Sequence, residues 1–198
     1  MEKVIVTIAR QHGSGGRLVG KKLAEMLNIP YYDKELIYLT AKKTGFAEDF
    51  VREVEEKQNI SLLYGIYNAS SAQSVYDQAQ TAQFNVIREL AEKGSCVIVG
   101  RAADCILKND PACVRVFIHA PLEERIRRAT EEYKEDMKGN AEKTLQKKDK
   151  ARSTFYNVYS TYNWGDTRNY HLTLDSSIGI EQSAKVIEAY LKVRESRL

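Results

Sequence analysis

Three glycines fall within four residues near the N-terminus, Gly13, Gly15 and Gly16, and what stands on either side of them restricts the fold severely. Before them runs Val4-Ile5-Val6-Thr7-Ile8-Ala9, almost continuously apolar and rich in β-branched residues. Such a run reads as a strand buried on both faces, the kind found in parallel sheets. After them Val19, Leu23, Met26 and Leu27 recur at i, i+4, i+7 and i+8, one face of a helix that Asn28 and Pro30 stop. Strand, glycine turn and helix open a βαβ unit. At that junction successive backbone N–H groups can point into one concavity, and the helix N-terminus adds positive potential, so the turn suits a phosphate. The glycines permit the dihedrals and the close approach that a ligand needs. The plain alternative is a glycine-rich connection that binds nothing, but loop and flanking elements agree here.

The alternation continues downstream. Ile29 to Asp33 reads as a short second strand ending in an acid, and Leu36, Ile37, Thr40 and Ala41 as a helix that Gly45 ends. From Phe46 to about Ser74 the pattern is mixed, and a mobile helical excursion is expected there. Gln73 to Lys93 reads as a long helix with Ala79, Ala82, Val86, Ile87 and Leu90 inward and Gly94 at its C-cap. Strands are expected at Cys96–Gly100, Val114–Ile118 and Tyr170–Leu174, with a charged helix starting near Pro121 and a closing helix from Ile180 to Arg194. Strands alternating with helices predict a three-layer α/β domain with a mostly parallel sheet.

Composition narrows the function classes. The 198 residues fit one medium domain, with 43% apolar and 29% charged residues, ordinary for a globular chain. A formal charge of +3 is too mild for a duplex DNA binder but allows a local basic pocket. No apolar stretch approaches the roughly 20 residues of a membrane span. Met1 to Val6 runs straight into a strand pattern without a signal-peptide core, and three cysteines suggest reduced, packed thiols, so the cytoplasm is expected. Cys96, Cys105, Cys113 and His119 contain no C-x-x-C pair, and no metal site is expected from them. Phe155, Tyr156, Tyr159, Tyr162 and Trp164 could imitate a nucleic-acid stacking platform, but packing is the simpler role.

The loop can be registered in three ways. A literal G-x-x-x-x-G-K runs from Gly15 to Lys21, but Lys22 replaces the hydroxyl residue and Pro30 follows too soon for a full helix. Setting Gly16-Arg17 at the G-K position places the loop directly after the strand, with Arg17 for the lysine and Leu18 for the hydroxyl. A dinucleotide fingerprint would use Gly13, Gly15 and Asp33, yet Leu18 stands at its third glycine. The second register is adopted, with Gly13, Ser14, Gly15, Gly16 and Arg17 as the phosphate-binding set. Arg17 can hold a phosphate oxygen as a planar fork.

Further cations stand where ligands to such a loop would meet them. Arg101 follows a buried strand, so it emerges at the sheet's C-terminal edge, where open α/β sheets bind ligands. Arg125 and Arg128, three apart, share a helical face. Lys143 to Arg152 carries five positive side chains and one acid, and Asp149 and Arg152 are three apart.

Taken in order, these stretches resemble the cytidylate kinase-like family, a branch of the P-loop nucleoside monophosphate kinases. Ile8 to Arg17, continuing through Gly20-Lys21-Lys22-Leu23-Ala24, resembles its variant phosphate loop. Pro30 to Ile37 resembles the segment after its second strand, Val97 to Asp104 its third-strand motif, and Leu174 to Ser177 the end of its last strand. The resemblance implies one P-loop kinase domain over residues 1–198, with an acceptor-binding segment at about 34–93 and a lid at about 121–160. It implies transfer of the ATP γ-phosphoryl group, with Mg²⁺, to CMP or dCMP. Arg101 and Asp33 would hold the acceptor, and Arg17, Arg125, Arg128, Asp149 and Arg152 would serve the transfer, with Asp104 a candidate for a water-mediated Mg²⁺ contact. Small-molecule nucleotides are the expected partners, without nucleic acid or membrane, and the oligomeric state is left open.

The chain also departs from the family. Lys34 and Leu39 stand where a serine and an arginine are usual, Leu145 where a lid arginine is, and Ala102 where an acid follows the third-strand Gly-Arg. Asp33 could equally cap the next helix. A nucleotide-binding module without transfer activity, or a kinase for another small acceptor, therefore stays open.

Overall fold

The computed structural model describes residues 3–46, 48, 75–137 and 139–196. Five strands are present among them: β1 (Ile5–Arg10), β2 (Tyr31–Tyr32), β3 (Cys96–Val99), β4 (Cys113–His119) and β5 (Leu172–Asp175). Seven α-helices accompany them among the described residues: α1 (Gly16–Leu27), α2 (Glu35–Thr44), α3 (Val75–Lys93), α4 (Ala103–Ile106), α5 (Leu122–Glu131), α6 (Ala141–Tyr159) and α7 (Ile180–Glu195). The strands form one sheet in the order β2-β3-β1-β4-β5, every pair parallel. All strand C-termini therefore lie along one edge.

Alternation along the strands sorts side chains into two cores. Val6 and Ile8 of β1, Val97 and Val99 of β3, and Val114, Val116 and Ile118 of β4 meet Val19 and Leu23 of α1 and Ala184, Ile187 and Leu191 of α7. Ile5, Cys96, Ile98 and Cys113 project the other way, onto Leu36 of α2, Val86, Ile87, Leu90 and Ala91 of α3 and Ala103 of α4. The result is the expected three-layer α/β architecture. Each fully buried aliphatic side chain contributes about 1.5–3 kcal/mol. The continuous apolar run of β1 reflects its central position: Ile5, Val6 and Ile8 are no more than 1% exposed.

Several boundaries shift. The second strand keeps only two residues, at the sheet's edge beside β3. The last strand runs from Leu172, and the long helix is described from Val75, with Gln73 outside the described residues. Gln80 and Gln83 are buried on α3 beside the expected apolar positions, joined by a 3.3 Å amide hydrogen bond. The excursion expected from Phe46 to Ser74 lies almost wholly outside the described residues.

Candidate functional site

The glycine loop sits where the strand ends converge. Gln11 N donates to Ile118 O at 3.0 Å, which ties the loop to β4, and Ser14 N closes a turn onto Gln11 O at 3.3 Å. Gly13 has φ +76°, and a Cβ there would lie 2.4 Å from Arg125 O, so α5 packs directly on the bare backbone. Gly15, at φ 79°, is the N-cap of α1 and brings no side-chain hydrogen bond. Val19 N bonds back to Gly15 O at 2.9 Å, which leaves the amides of Gly16, Arg17 and Leu18 without intrahelical acceptors. Those amides and the positive end of the helix suit an anion.

Beside the loop lies a cleft of about 160 Å³. Sites enclosing a drug-sized ligand run to roughly 300–1,000 Å³, so this volume matches phosphate groups better than a whole nucleotide. Its walls carry five cations, Arg10, Arg17, Lys34, Arg101 and Arg152, against the carboxylates of Asp33 and Glu135. The guanidinium of Arg10, the last residue of β1, is buried among these charges. Burial first, then Arg152, lower it to about 9, with Asp33 only partly restoring it. Its Nε has no hydrogen-bond partner among the described residues, and Asp33 Oδ1 is 3.8 Å from its Nη2.

Arg10 lies across the backbone that follows β3. A Cβ on Gly100 would stand 2.0 Å from Arg10 Nη1, so any side chain there would displace the guanidinium. Gly100, Arg101 and Ala102 all have positive φ, at 77°, 58° and 51°. Two successive non-glycine residues in the left-handed region are strained, by about 1–2 kcal/mol each. This turn puts Arg101 on the cleft wall.

Arg17 and Asp33 meet each other. Arg17 Nε donates to Asp33 Oδ2 at 2.6 Å, while Tyr31 OH donates to Arg17 O at 3.2 Å. Both residues line the cleft, but each is the other's partner, whereas the sequence reading set Arg17 on a phosphate and Asp33 on an acceptor. Of the remaining loop residues, Gly13 and Gly16 line the cleft. Ser14 and Gly15 do not: Ser14 is fully buried, and its hydroxyl donates to Gln11 O at 2.9 Å.

The two arginines of α5 turn to the loop's backbone rather than to the cleft. Arg125 Nε donates to His12 O at 2.7 Å, and Arg128 Nη1 to Gly13 O at 2.9 Å. They are 8% and 3% exposed. Their shared face was correctly anticipated, but the structure makes them braces of the loop, because α5 packs on bare glycine backbone and its cations meet the loop's outward carbonyls. Asp149 acts as a brace too. One carboxylate oxygen accepts from His12 N at 2.6 Å, and the other pairs with Arg125 Nη2. Arg152 does enter the cleft, where it donates to Arg10 O at 3.3 Å and to His12 Nδ1 at 3.0 Å.

Some residues of the site escaped sequence reasoning. Arg10 ends an apolar strand and looks like an ordinary boundary charge. His12 and Glu135 bond to each other at 2.9 Å across 123 residues, a separation no local pattern signals. Asp104, by contrast, is absent from the cleft wall. It is 2% exposed, accepts from Asn169 Nδ2 at 3.3 Å, and its carboxyl is pushed up to about 6 by burial. Leu145 is fully buried on α6, so that position serves packing. Of the aromatic stretch, Trp164 packs on Phe117 and Tyr156 is buried, whereas Tyr159 and Tyr162 are exposed. The thiols of Cys96 and Cys113 are buried and raised to about 11 and 12 by that burial. Among the described residues there is no cluster of three or more metal-ligating side chains, and no helix long and apolar enough to cross a membrane.

A family model described as the cytidylate kinase-like family matches residues 5–178. The crystal structure of an uncharacterized protein from Eubacterium ventriosum ATCC 27560 is 32% identical, with TM-score 0.70 over 96% of this chain and 99% of that one. Shikimate kinase from Acinetobacter baumannii shares the fold at 19% identity and TM-score 0.58, covering 98% of this chain and 95% of that one. A gluconokinase from Sinorhizobium meliloti 1021 does so at 15% identity and TM-score 0.55, covering 96% and 93%. No curated protein matches the sequence.

Proposed function

The chain belongs to the cytidylate kinase-like family, and from that premise we propose that it transfers the γ-phosphoryl group of ATP to a nucleoside monophosphate, CMP or dCMP foremost. The observation that carries the reading is the meeting of open α1 amides with a cleft holding five cations and two carboxylates. Two polyanions must be brought together for such a reaction, and its chemistry is mainly positioning and electrostatic stabilisation.

The loop amides and Arg152 would hold ATP phosphates, and Arg101 the acceptor phosphate. Arg125, Arg128 and Asp149 would keep the loop in shape. Residues about 34–93 and about 121–160 would form the acceptor-binding and lid segments. The described residues supply no carboxylate cluster for a divalent cation, so Mg²⁺ would arrive on the phosphates of ATP, neutralising charge there. This reading involves small nucleotides rather than nucleic acid or membrane, and a cytoplasmic setting suits the three free thiols.

One observation favours a second reading. The 2.6 Å Arg17–Asp33 pair occupies two of the groups expected to act on ligands, and Leu18 replaces the loop hydroxyl, as a binding module without transfer could tolerate. A coupled assay with ATP, Mg²⁺ and a panel of monophosphates and uncharged acceptors decides. Turnover is expected with CMP or dCMP. Turnover only of a non-nucleotide would make it a kinase of another class, and ATP binding without any turnover would make it a sensor.

A further inference from the structure

The imidazole of His12 makes contacts that the fold of the loop does not require. The backbone of His12 already fastens the loop to both helices, its N–H to Asp149 Oδ1 at 2.6 Å and its carbonyl to Arg125 Nε at 2.7 Å. Any residue would serve for that. The ring adds contacts to Arg152, on the same α6, and to Glu135, in the stretch after α5. Arg152 Nη2 lies 3.0 Å from Nδ1, and the Glu135 oxygens lie 2.9 and 3.1 Å from Nε2. A guanidinium only donates, so Nδ1 is an acceptor, and the ring proton sits on Nε2 and is given to Glu135. Lys148 Nζ bonds the same carboxylate at 2.7 Å, holding it in place.

We propose that His12 is a positioning residue for phosphoryl transfer: Nδ1 aims the Arg152 guanidinium into the cleft, and Glu135 keeps the ring in the accepting tautomer. This rests on the kinase reading above. Arg152 has acceptors on separate sides, His12 Nδ1 and Arg10 O at 3.3 Å, with Asp149 Oδ1 3.5 Å away, so removing one frees the plane of the guanidinium. A misplacement of about 1 Å in a transfer group can cost about a hundredfold in rate.

The surroundings fit a neutral ring. Facing it are Glu135 and the Tyr133 ring from the stretch after α5 and Lys148 and Arg152 from α6, while Asp149 of α6 and Arg125 of α5 bond the His12 backbone. Burial first, then Arg152, hold the imidazole down to about 4 against the pull of Glu135. Protonation would turn Nδ1 into a donor facing another donor.

The test uses His12→Asn, whose Oδ1 takes the place of Nδ1, and His12→Gln, which reaches toward Glu135 but leaves the Nδ1 place empty. His12→Asn should keep kcat within about threefold of wild type. His12→Gln should lose about ten- to a hundredfold in kcat with little change in acceptor KM or Tm. The acid limb of the wild-type kcat profile should be shallower in His12→Asn, which removes one of the groups that titrate there. Equal losses in both variants, or a loss confined to KM, would overturn the assignment. A second measurement needs no turnover. With ¹⁵N-arginine, the Arg152 Nη resonances should be resolved in wild type and His12→Asn and averaged in His12→Gln. Resolved signals in all three refute the positioning role. Absence of turnover with every acceptor, with the resonances behaving as stated, would instead defeat the kinase reading.

Discussion

Asp104→Asn should stabilise the protein at neutral pH and do much less in acid. Asp104 is 2% exposed and its carboxyl is raised from 3.8 to about 6, chiefly by burial. An acid whose folded pKa lies above its unfolded one binds its proton more tightly when folded, so stability falls as pH rises from about 4 to about 6 and is level beyond. At 1.36 kcal/mol per unit, the ionised form costs about 3 kcal/mol at pH 7, of which about 2 kcal/mol develops between pH 4.5 and pH 7. Asparagine preserves the shape, can accept from Asn169 Nδ2 as Asp104 does at 3.3 Å, and cannot ionise. The measurement is the difference in Tm between variant and wild type at the two pH values. For a chain of this size the pH-dependent part should be about 4–8 °C in favour of the variant at pH 7. A Tm difference that does not change with pH would refute the argument, because a purely packing effect has no reason to titrate.

Three other substitutions probe the glycine loop and the turn after β3. Gly13→Ala places a Cβ 2.4 Å from Arg125 O at φ +76°, so α5 must withdraw. A loss of about 2–4 kcal/mol in urea unfolding, with weaker nucleotide binding, is expected. Ala102→Gly relieves a left-handed residue at φ 51°. Tm should rise by about 1–3 °C while acceptor KM increases as the turn under Arg101 loosens. Ser176→Ala removes the buried hydroxyl that donates to Ser14 O, and unfolding should show a loss of about 1–2 kcal/mol.

The architecture could be read from the chain because it rests on local periodicity. The β-branched run of β1 and the spacing of Val19 and Leu23 need no distant partner to be recognised, and both helix positions are fully buried. Arg125 and Arg128 were legible as one helical face. Whether that face meets a ligand or the carbonyls of His12 and Gly13 depends on contacts 113 and 115 residues apart. Arg17 was legible as a loop cation, but Asp33 at the end of the short edge strand captures it, and nothing in either segment alone announces the pair. Arg10 and His12 matter because β1 lies between β3 and β4 and because α6 crosses the loop. Those are properties of the assembled sheet, with no trace in the residues next to them.

The central place of β1 also governs how the protein can be made. Ile5 pairs with Cys96 on one side and Cys113 on the other, so both neighbours leave the ribosome long after it does. At about 5–20 residues per second, roughly 5 to 20 s separate the synthesis of the first strand from that of its nearer partner. During that interval a strand whose Ile5, Val6 and Ile8 are buried in the folded protein has unpaired edges. The glycine loop waits longer still, since Asp149 and Arg152 come later again. Shielding by a chaperone during that interval would act on this stretch.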